Sequence, residues 1–410
     1  MASIDSRNGR VGAPPTAREL IDRAIALRPL LVEQAAATEE RRYYSEEIHA
    51  AFGEAGFYRS LIPKRYGGFE LPVTDWLRLI TEVAHGDIQA AWCLTLGSGH
   101  ALQVASFWGQ EAQDEIFGDG DFRAASVAAP VGKAVHVDGG WRVTGAWPYS
   151  SGAPYSTHYM GQTLIPVDGG PPRMMLFVAE RSQWEMLDDW GDLLGLRGSG
   201  SHTVRLEDGF VPEHWALPDV QLVEVDVSGG TPGSRLHGNP MYAGRCVSFF
   251  QLELTALMIG AARGALDEYE HLVTTRRTQR PPTVLRAEDP DYQRWFGTAI
   301  GRLATAEAAM LNAGDQWTEL ARRNVEEDAG FARADDLKLN FIARDGMKMA
   351  WDAMQEHIVR TAGSSALRDG ERMQRIYRDM TMGHGHFASI LGDSVARQIG
   401  QHRLGVEVKG

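Results

Sequence analysis

Cysteine is almost missing from this chain of 410 residues, which holds only Cys93 and Cys246. The two form no CxxC pair and no zinc-type spacing. That excludes a disulfide framework and a thiolate metal site, and reads as two buried thiols in a reducing compartment. Basic charge is also short: 41 Lys and Arg stand against 54 Asp and Glu, a net charge of −13. Nucleic acid and anionic membrane both need a basic surface, so neither is expected as the main partner. No apolar run approaches the ~20 residues of a membrane span. The longest, around Leu252–Leu266, contains Arg263. The N-terminus lacks the basic-then-apolar pattern of a signal peptide. These absences together predict a soluble, cytoplasmic protein.

The pattern along the chain then divides it. Residues 1–14 are polar and glycine-containing and read as a disordered tail. From residue 15 to 120 the periodicity is helical. Leu20, Ala24, Leu27 and Leu31 share one face behind a Thr16/Glu19 capping box, and Ser45 opens a second helix. PKRYGGFELP is a punctuated loop, Asp75 caps the next helix, and Ile88–Trp108 and Glu111–Phe117 follow. Residues 121–235 are short β-branched or aromatic runs, from Phe122–Val131 to Ser201–Val211, separated by clusters such as DGG and VDGGPP. That spacing predicts a compact antiparallel sheet domain. Residues 236–410 return to long helical periods, Phe249–Thr274, Tyr292–Asn324, Asp335–Thr361 and Met373–His402, which suit a four-helix bundle and an oligomerisation core. The fold class expected is α+β, mostly α.

The densest chemistry lies in GAWPYSSGAPYSTH, residues 145–158. WRVTGAW alternates in the strand period after a hairpin at Asp138-Gly139-Gly140, so Trp147, Tyr149, Ser150 and Ser151 gather at a strand end. Aromatic faces beside hydroxyls suit a flat ligand with polar edges, such as a flavin ring; ordinary core aromatics beside a Ser-Gly turn fit the same letters. His384 and His386 stand two apart, do not share a helix face, and have no HExxH or carboxylate companion, so no metal site is expected. LRGSG, Leu196–Gly200, precedes a strand and not a helix, and therefore fails the context of a dinucleotide-binding loop.

Three segments in order carry a resemblance over nearly the whole chain: LGLRGSGSHTVRLEDGFVPEHW (Leu194–Trp215), GALDEYEHLVTTRR (Gly264–Arg277) and RIYRDM (Arg375–Met380). The chain resembles the acyl-CoA dehydrogenase superfamily, and within it the oxygenase components of two-component flavin monooxygenases. The resemblance implies a helical domain, a β domain and a four-helix bundle assembled as a homotetramer. It also implies reduced FAD or FMN, delivered by a separate NAD(P)H:flavin reductase, and O2. In that family a C4a-hydroperoxide of the flavin passes one oxygen to a phenolic or polycyclic aromatic substrate. A serine hydroxyl at flavin N5 and a dry aromatic pocket preserve that species.

By motif position Ser151 is that serine, with Ser150 the competitor, and Trp147 and Tyr149 belong to the flavin wall. The family places one histidine after WxLxLGxxH, here His100, and another after the late Arg-Asp, here His386 with His384 as alternative. An imidazole with a pKa near ~6.5 suits removal of a phenol proton. Ser126 falls at a substrate-contacting position. Arg276, with Gly363-Ser364-Ser365, matches a path to the flavin pyrophosphate of a neighbouring subunit.

The dehydrogenase branch of the same fold uses a glutamate base. Its YEGT-type place reads GHGHFAS here, Gly383–Ser389, and its acidic GSD loop is replaced by AAPVGKAV; Glu253 and Glu268 on the long helix are the available substitutes. N- or S-oxygenation on the same scaffold, and a degenerate scaffold with an assembly role, are the further alternatives.

Overall fold

The computed structural model describes residues 14–118, 120–387 and 391–406, so the expected tail lies outside the described residues but for Pro14. The chain begins with helices α1 (Ala17–Arg41), α2 (Glu46–Ala55), α3 (Val73–Gly86), α4 (Ile88–Gly99), α5 (Ala101–Phe107) and α6 (Gln110–Phe117). Thr16 and Glu19 form the reciprocal capping box of α1, and Ser45 Oγ accepts from Ile48 N to start α2. Asp75 does not cap α3. Pro72 holds that position and Asp75 sits in the first turn, where a carboxylate still favours the helix N-terminus. Nor is Ile88–Trp108 one helix: it breaks at His100, whose Nδ1 binds Ala124 O at 2.8 Å in place of continuing the helix surface.

Among the described residues eight strands follow: β1 (Ala124–Val127), β2 (Lys133–Val137), β3 (Gly140–Trp147), β4 (His158–Ile165), β5 (Arg173–Glu180), β6 (Glu185–Met186), β7 (Val204–Pro212) and β8 (Ala216–Pro218). They make one sheet ordered β6-β7-β3-β2-β4-β5-β8, with β1 added on β4. The β2–β3 hairpin turns on Asp138-Gly139, with Gly139 at φ +76°, as a two-residue loop requires. The sheet is not wholly antiparallel: β1 runs parallel to β4, pairing Ser126 with Met160, and β2 meets β4 in parallel at Lys133. β1 and β4 enter the sheet from the same side, from the segment after α6 and from the Gly152–Thr157 loop. Arg123 O, accepting from Thr157 N and His158 N, starts them in the same direction.

After the short α7 (Pro232–His237) come α8 (Cys246–Thr275), α9 (Pro290–Glu326) and α10 (Arg333–Asp352). A π-helical turn over Ala353–Val359 continues α10 into α11 (Arg360–Ala362), and α12 (Arg372–His384) and α13 (Gly392–Leu404) end the chain. Met373–His402 is thus not one helix; α12 is capped at Gly385, and His386 follows just beyond it. The central member is α8, packed on α3, α4, α9, α10 and α12. It is long and apolar enough to cross a membrane, but 83% of its most apolar window is buried inside the protein, so it is a core helix. We take residues 15–120, 121–235 and 236–410 as the proposed domain divisions.

Candidate active site

Two sequence signatures meet in space. Arg378 grips Glu39 of α1 through both nitrogens, each at 2.9 Å, and donates a further 2.9 Å bond to Leu194 O. The next residue, Asp379, accepts from Leu196 N at 2.7 Å. RIYRDM therefore anchors the Leu194–Gly200 loop. Gly195 must be glycine, because a Cβ there would stand 2.2 Å from Arg378 O. Helix α4 holds the other side of the loop, where Gln89 Oε1 accepts from Gly198 N at 2.5 Å.

Against this loop lies the end of β3. Ser151 Oγ accepts from Trp92 Nε1 of α4 at 3.1 Å and pairs with Ser201 Oγ at 2.7 Å, which pairs with Ser199 Oγ at 2.7 Å. Ser150 turns inward, donating to Trp147 O at 2.9 Å, so Ser151 alone of the two serines faces α4. Gly152, at φ +80°, lets the strand end lie on α4, where a Cβ would meet Cys93 O at 2.8 Å.

The aromatics of this stretch separate. Trp147 is fully buried, its Nε1 on Gln162 O and its ring against Tyr159 and Phe177. It has no exposed face in this chain and packs in the core at the end of β3. Tyr149 is 61% exposed, at φ +63°, with Trp190 edge-on at 5.3 Å. A bulky side chain held at positive φ is strained by on the order of 1–3 kcal/mol, a condition met most often at functional sites.

The histidines separate as well. His386 meets the ring of Trp92 edge-on at 5.7 Å. His384 stacks on Trp351 at 5.1 Å, in a pile with Tyr377 inside the bundle. Burial lowers the pKa of His386 below its ordinary value, so at neutral pH its imidazole is uncharged. Trp92, which touches both Ser151 and His386, was missed in the sequence because AAWCL reads as helix core. The GHGHFAS stretch is described as far as Phe387.

His100 and Ser126 form an adjoining pair of elements. His100 is buried with Nδ1 on Ala124 O of β1 and its ring 6.0 Å from Phe250, and Ser126 lies two residues along the same strand, half-buried. Burial pulls the His100 pKa down to about 4, so it too is neutral. Arg276 belongs elsewhere. It caps α8 and binds Ser365 Oγ, beside exposed Ser364 and beside Gly363 at φ +95°. Gly383, three residues before His386, lies against Met258, and Arg276 follows eighteen residues along the same helix, about 27 Å away at 1.5 Å per residue. The arginine–serine cluster and the Ser151 cluster are therefore distinct in one chain.

Comparison with known proteins assigns the fold. Residues 16–117 match the N-terminal domain of acyl-CoA dehydrogenases and residues 252–389 their C-terminal domain. A pigment production hydroxylase of Rhodococcus sp. is 30% identical over 96% of this chain and 98% of its own. The oxygenase subunit HsaA of a flavin-dependent monooxygenase from Rhodococcus jostii is 28% identical (90% and 94%), and the oxygenase component of p-hydroxyphenylacetate 3-hydroxylase from Acinetobacter baumannii 25% (95% and 89%). The crystal structure of 3-HSA hydroxylase from Rhodococcus sp. RHA1 superposes with a TM-score of 0.85 at 25% identity, over 96% and 98% of the two chains. The chain belongs to the acyl-CoA dehydrogenase superfamily, in its branch of flavin-dependent monooxygenase oxygenase components.

In this oxygenase component the two glutamates available to a dehydrogenase are engaged elsewhere. Glu268 is ion-paired with Arg372 at 2.9 Å. Glu253 is fully buried, with Oε1 on Trp76 Nε1 at 2.9 Å and Oε2 without a partner, and burial pushes its pKa up to about 8. A folded-state pKa above the unfolded 4.5 means that Glu253 weakens the fold as pH rises from about 4.5 to about 8. Glu253→Gln should therefore melt at higher temperature than the parent at pH 9, by on the order of 2–4 kcal/mol of stability, with the gap closing near pH 4.5. Thermal unfolding across that range checks it.

Proposed function

We propose that this chain is the oxygenase component of a two-component monooxygenase, using reduced FAD or FMN from a separate NAD(P)H:flavin reductase and O2 to hydroxylate a phenolic or polycyclic aromatic substrate. One observation carries the reading: Ser151, expected at flavin N5, and His386, expected as the base, both contact Trp92. The donor set fits a flavin ring. Ser151 Oγ, bonded to Trp92 and Ser201, keeps one hydrogen-bonding position for a ring nitrogen. Tyr149 has exposed ring surface for stacking, and Gly152 removes the side chain that would hold the strand end off α4. When bound, reduced flavin supplies the electrons that activate O2 for insertion of one oxygen atom into the substrate.

The residues supply the rest. Ser151 holds the proton at flavin N5, and Trp92 and the buried serines keep bulk water from that edge. His386, neutral through burial, accepts the proton of a substrate hydroxyl with a pKa near ~10 and so raises electron density on the ring. His100 and Ser126 line the β1 side, where Ser126 contacts the substrate and the neutral His100 holds α4 to the strand. Arg276, Ser364 and Ser365 hold the phosphates of a flavin bound mainly by a neighbouring copy in a homotetramer, which accounts for their distance from Ser151. Both cysteines are free and buried, which supports a cytoplasmic setting.

The test is turnover with supplied reduced FMN or FAD and a panel of small phenols, scoring hydroxylated product against hydrogen peroxide. A phenol that draws most of the oxygen into product is the expected result. Peroxide alone across phenols and fused aromatics, by a protein that binds flavin in neither redox state, would remove the assignment.

A further inference from the structure

The hydroxyl groups around Ser151 can be counted as donors and acceptors. A serine oxygen has one O–H to give and two lone pairs to fill, whereas an indole N–H can only give. Trp92 Nε1, at 3.1 Å, therefore always occupies one lone pair of Ser151. On the far side stand Ser201 and Ser199, in a row of contacts of 2.7 Å and 2.7 Å in which either oxygen of each pair can be the donor.

The row has two polarities. In one, Ser199 gives to Ser201 and Ser201 to Ser151. Both lone pairs of Ser151 are then filled, and its O–H points to whatever lies in the site. In the other, Ser151 gives to Ser201, which gives to Ser199 Oγ or, at 3.5 Å, to Ser199 O. Ser151 is then left with one lone pair and no donor. Each polarity offers the ligand a single position, of opposite sense.

We propose that Ser201, supported by Ser199, is a positioning residue that switches Ser151 between donor and acceptor, so that one site accommodates flavin N5 in both redox states. Oxidised flavin carries N5 as an acceptor and reduced flavin carries it as an N–H donor; a lone fixed donor would suit only the first. The proposal rests on the reading that N5 lies against Ser151. No proton leaves the row when its sense reverses, because each hydroxyl only rotates about its Cβ–Oγ bond. The oxygens themselves are held in place. Ser199 and Ser201 are 1% and 3% exposed, so water has little access to substitute for a missing partner. Their loop is tied at Leu196 N to Asp379, at Gly198 N to Gln89 and at Gly200 N to Arg42 O. LRGSGSH, which fails as a dinucleotide loop, thereby acquires a role toward the flavin ring.

Removing the Ser201 hydroxyl affects the two redox states unequally. With oxidised flavin, Ser151→N5 donation survives and only a lone pair goes unfilled. With reduced flavin, Ser151 accepts from N5–H and its own O–H has lost its buried acceptor, the costlier of the two defects. The experiment is anaerobic titration of the full-length protein with oxidised and reduced flavin, and with the 5-deaza analogue, whose C5 neither accepts nor donates. Ser201→Ala should weaken reduced flavin and the 5-deaza analogue, neither of which offers the Ser151 O–H an acceptor, by about tenfold more than oxidised flavin. Ser201→Thr, which keeps the hydroxyl, should restore the parent ratio. Ser199→Ala, which leaves Ser199 O as an acceptor, should move the ratio in the same direction but by less, and supplies the test should Ser201→Ala not fold. Equal weakening of all three ligands, or an unchanged ratio of reduced to oxidised affinity, would overturn the switch while leaving the flavin reading intact. A parent protein that binds none of the three overturns the flavin reading, and the switch with it.

Discussion

Replacing His386 by alanine is expected to lower aromatic product formation about a hundredfold while reduced flavin continues to be oxidised, the oxygen now leaving as hydrogen peroxide. On the proposed reading, flavin oxidation needs only the edge at Ser151 and Trp92, whereas transfer to the substrate needs an acceptor for the substrate's proton. His386 meets Trp92 ring to ring, whereas Ser151 is held by the Trp92 N–H, so loss of the imidazole leaves the Ser151 hydrogen bond standing. The pH dependence has a definite sign. Burial lowers the pKa of His386 below its ordinary 6.5, and the base is the neutral form. Coupling should therefore stay level above about pH 6.5 and fall only on acidification through the lowered pKa, a dependence that His386→Ala removes. His384→Ala is the matched comparison. Its ring belongs to the Trp351–Tyr377 stack, and its removal should leave the ratio of product to peroxide within about twofold of the parent, as expected of a group outside the reaction space. If His384→Ala uncouples and His386→Ala does not, the two roles are reversed.

How much of this was legible in the sequence depends on the range of the interaction concerned. Local devices read directly: the Thr16/Glu19 capping box, the Asp138-Gly139 hairpin and the long apolar period of α8 each involve neighbours a few residues apart. Ser151 and His386 are proposed from motif position, since each stands at a fixed offset from a segment with its own pattern. What joins them was not legible. Trp92 sits among alanines, a cysteine and leucines that bury any helix face, and only the packing of α4 on the β3 end turns its N–H toward Ser151. The same holds for Ser199 and Ser201, whose loop is given its shape by Arg378 and Asp379 some 180 residues later. The parallel pairing of β1 with β4 was hidden for a related reason. Alternation predicts a strand but says nothing of its direction, which Arg123 O decides by accepting from Thr157 N and His158 N. The helix breaks at His100 and Gly385 are likewise tertiary: one imidazole leaves its helix to bind a strand carbonyl, and the other lies beside Trp92.

Ser151→Ala should shift oxygen from product to peroxide by about tenfold without abolishing flavin binding. The effect is large for a single hydroxyl because of where it lies. Ser151 is 6% exposed, and removing its oxygen strands the Trp92 N–H and leaves Ser201 with Ser199 alone as its hydroxyl partner. A buried donor left unpaired costs about 1–3 kcal/mol, which favours a water molecule moving into the gap. If flavin N5 lies against Ser151 as proposed, water at that edge would give its proton a route to solvent, and oxygen would leave as peroxide. Trp92→Phe separates the two parts of this argument. It removes the N–H at 3.1 Å but keeps an aromatic ring against His386 and leaves Ser151 its Ser201 partner. Its uncoupling should fall between that of the parent and Ser151→Ala, and Ser151→Thr, which keeps a hydroxyl, should recover most of the product. The measurement is the ratio of hydroxylated product to hydrogen peroxide at matched flavin saturation. Equal uncoupling by Ser151→Ala and Ser151→Thr would mean that the volume of the side chain, and not its O–H, protects the site.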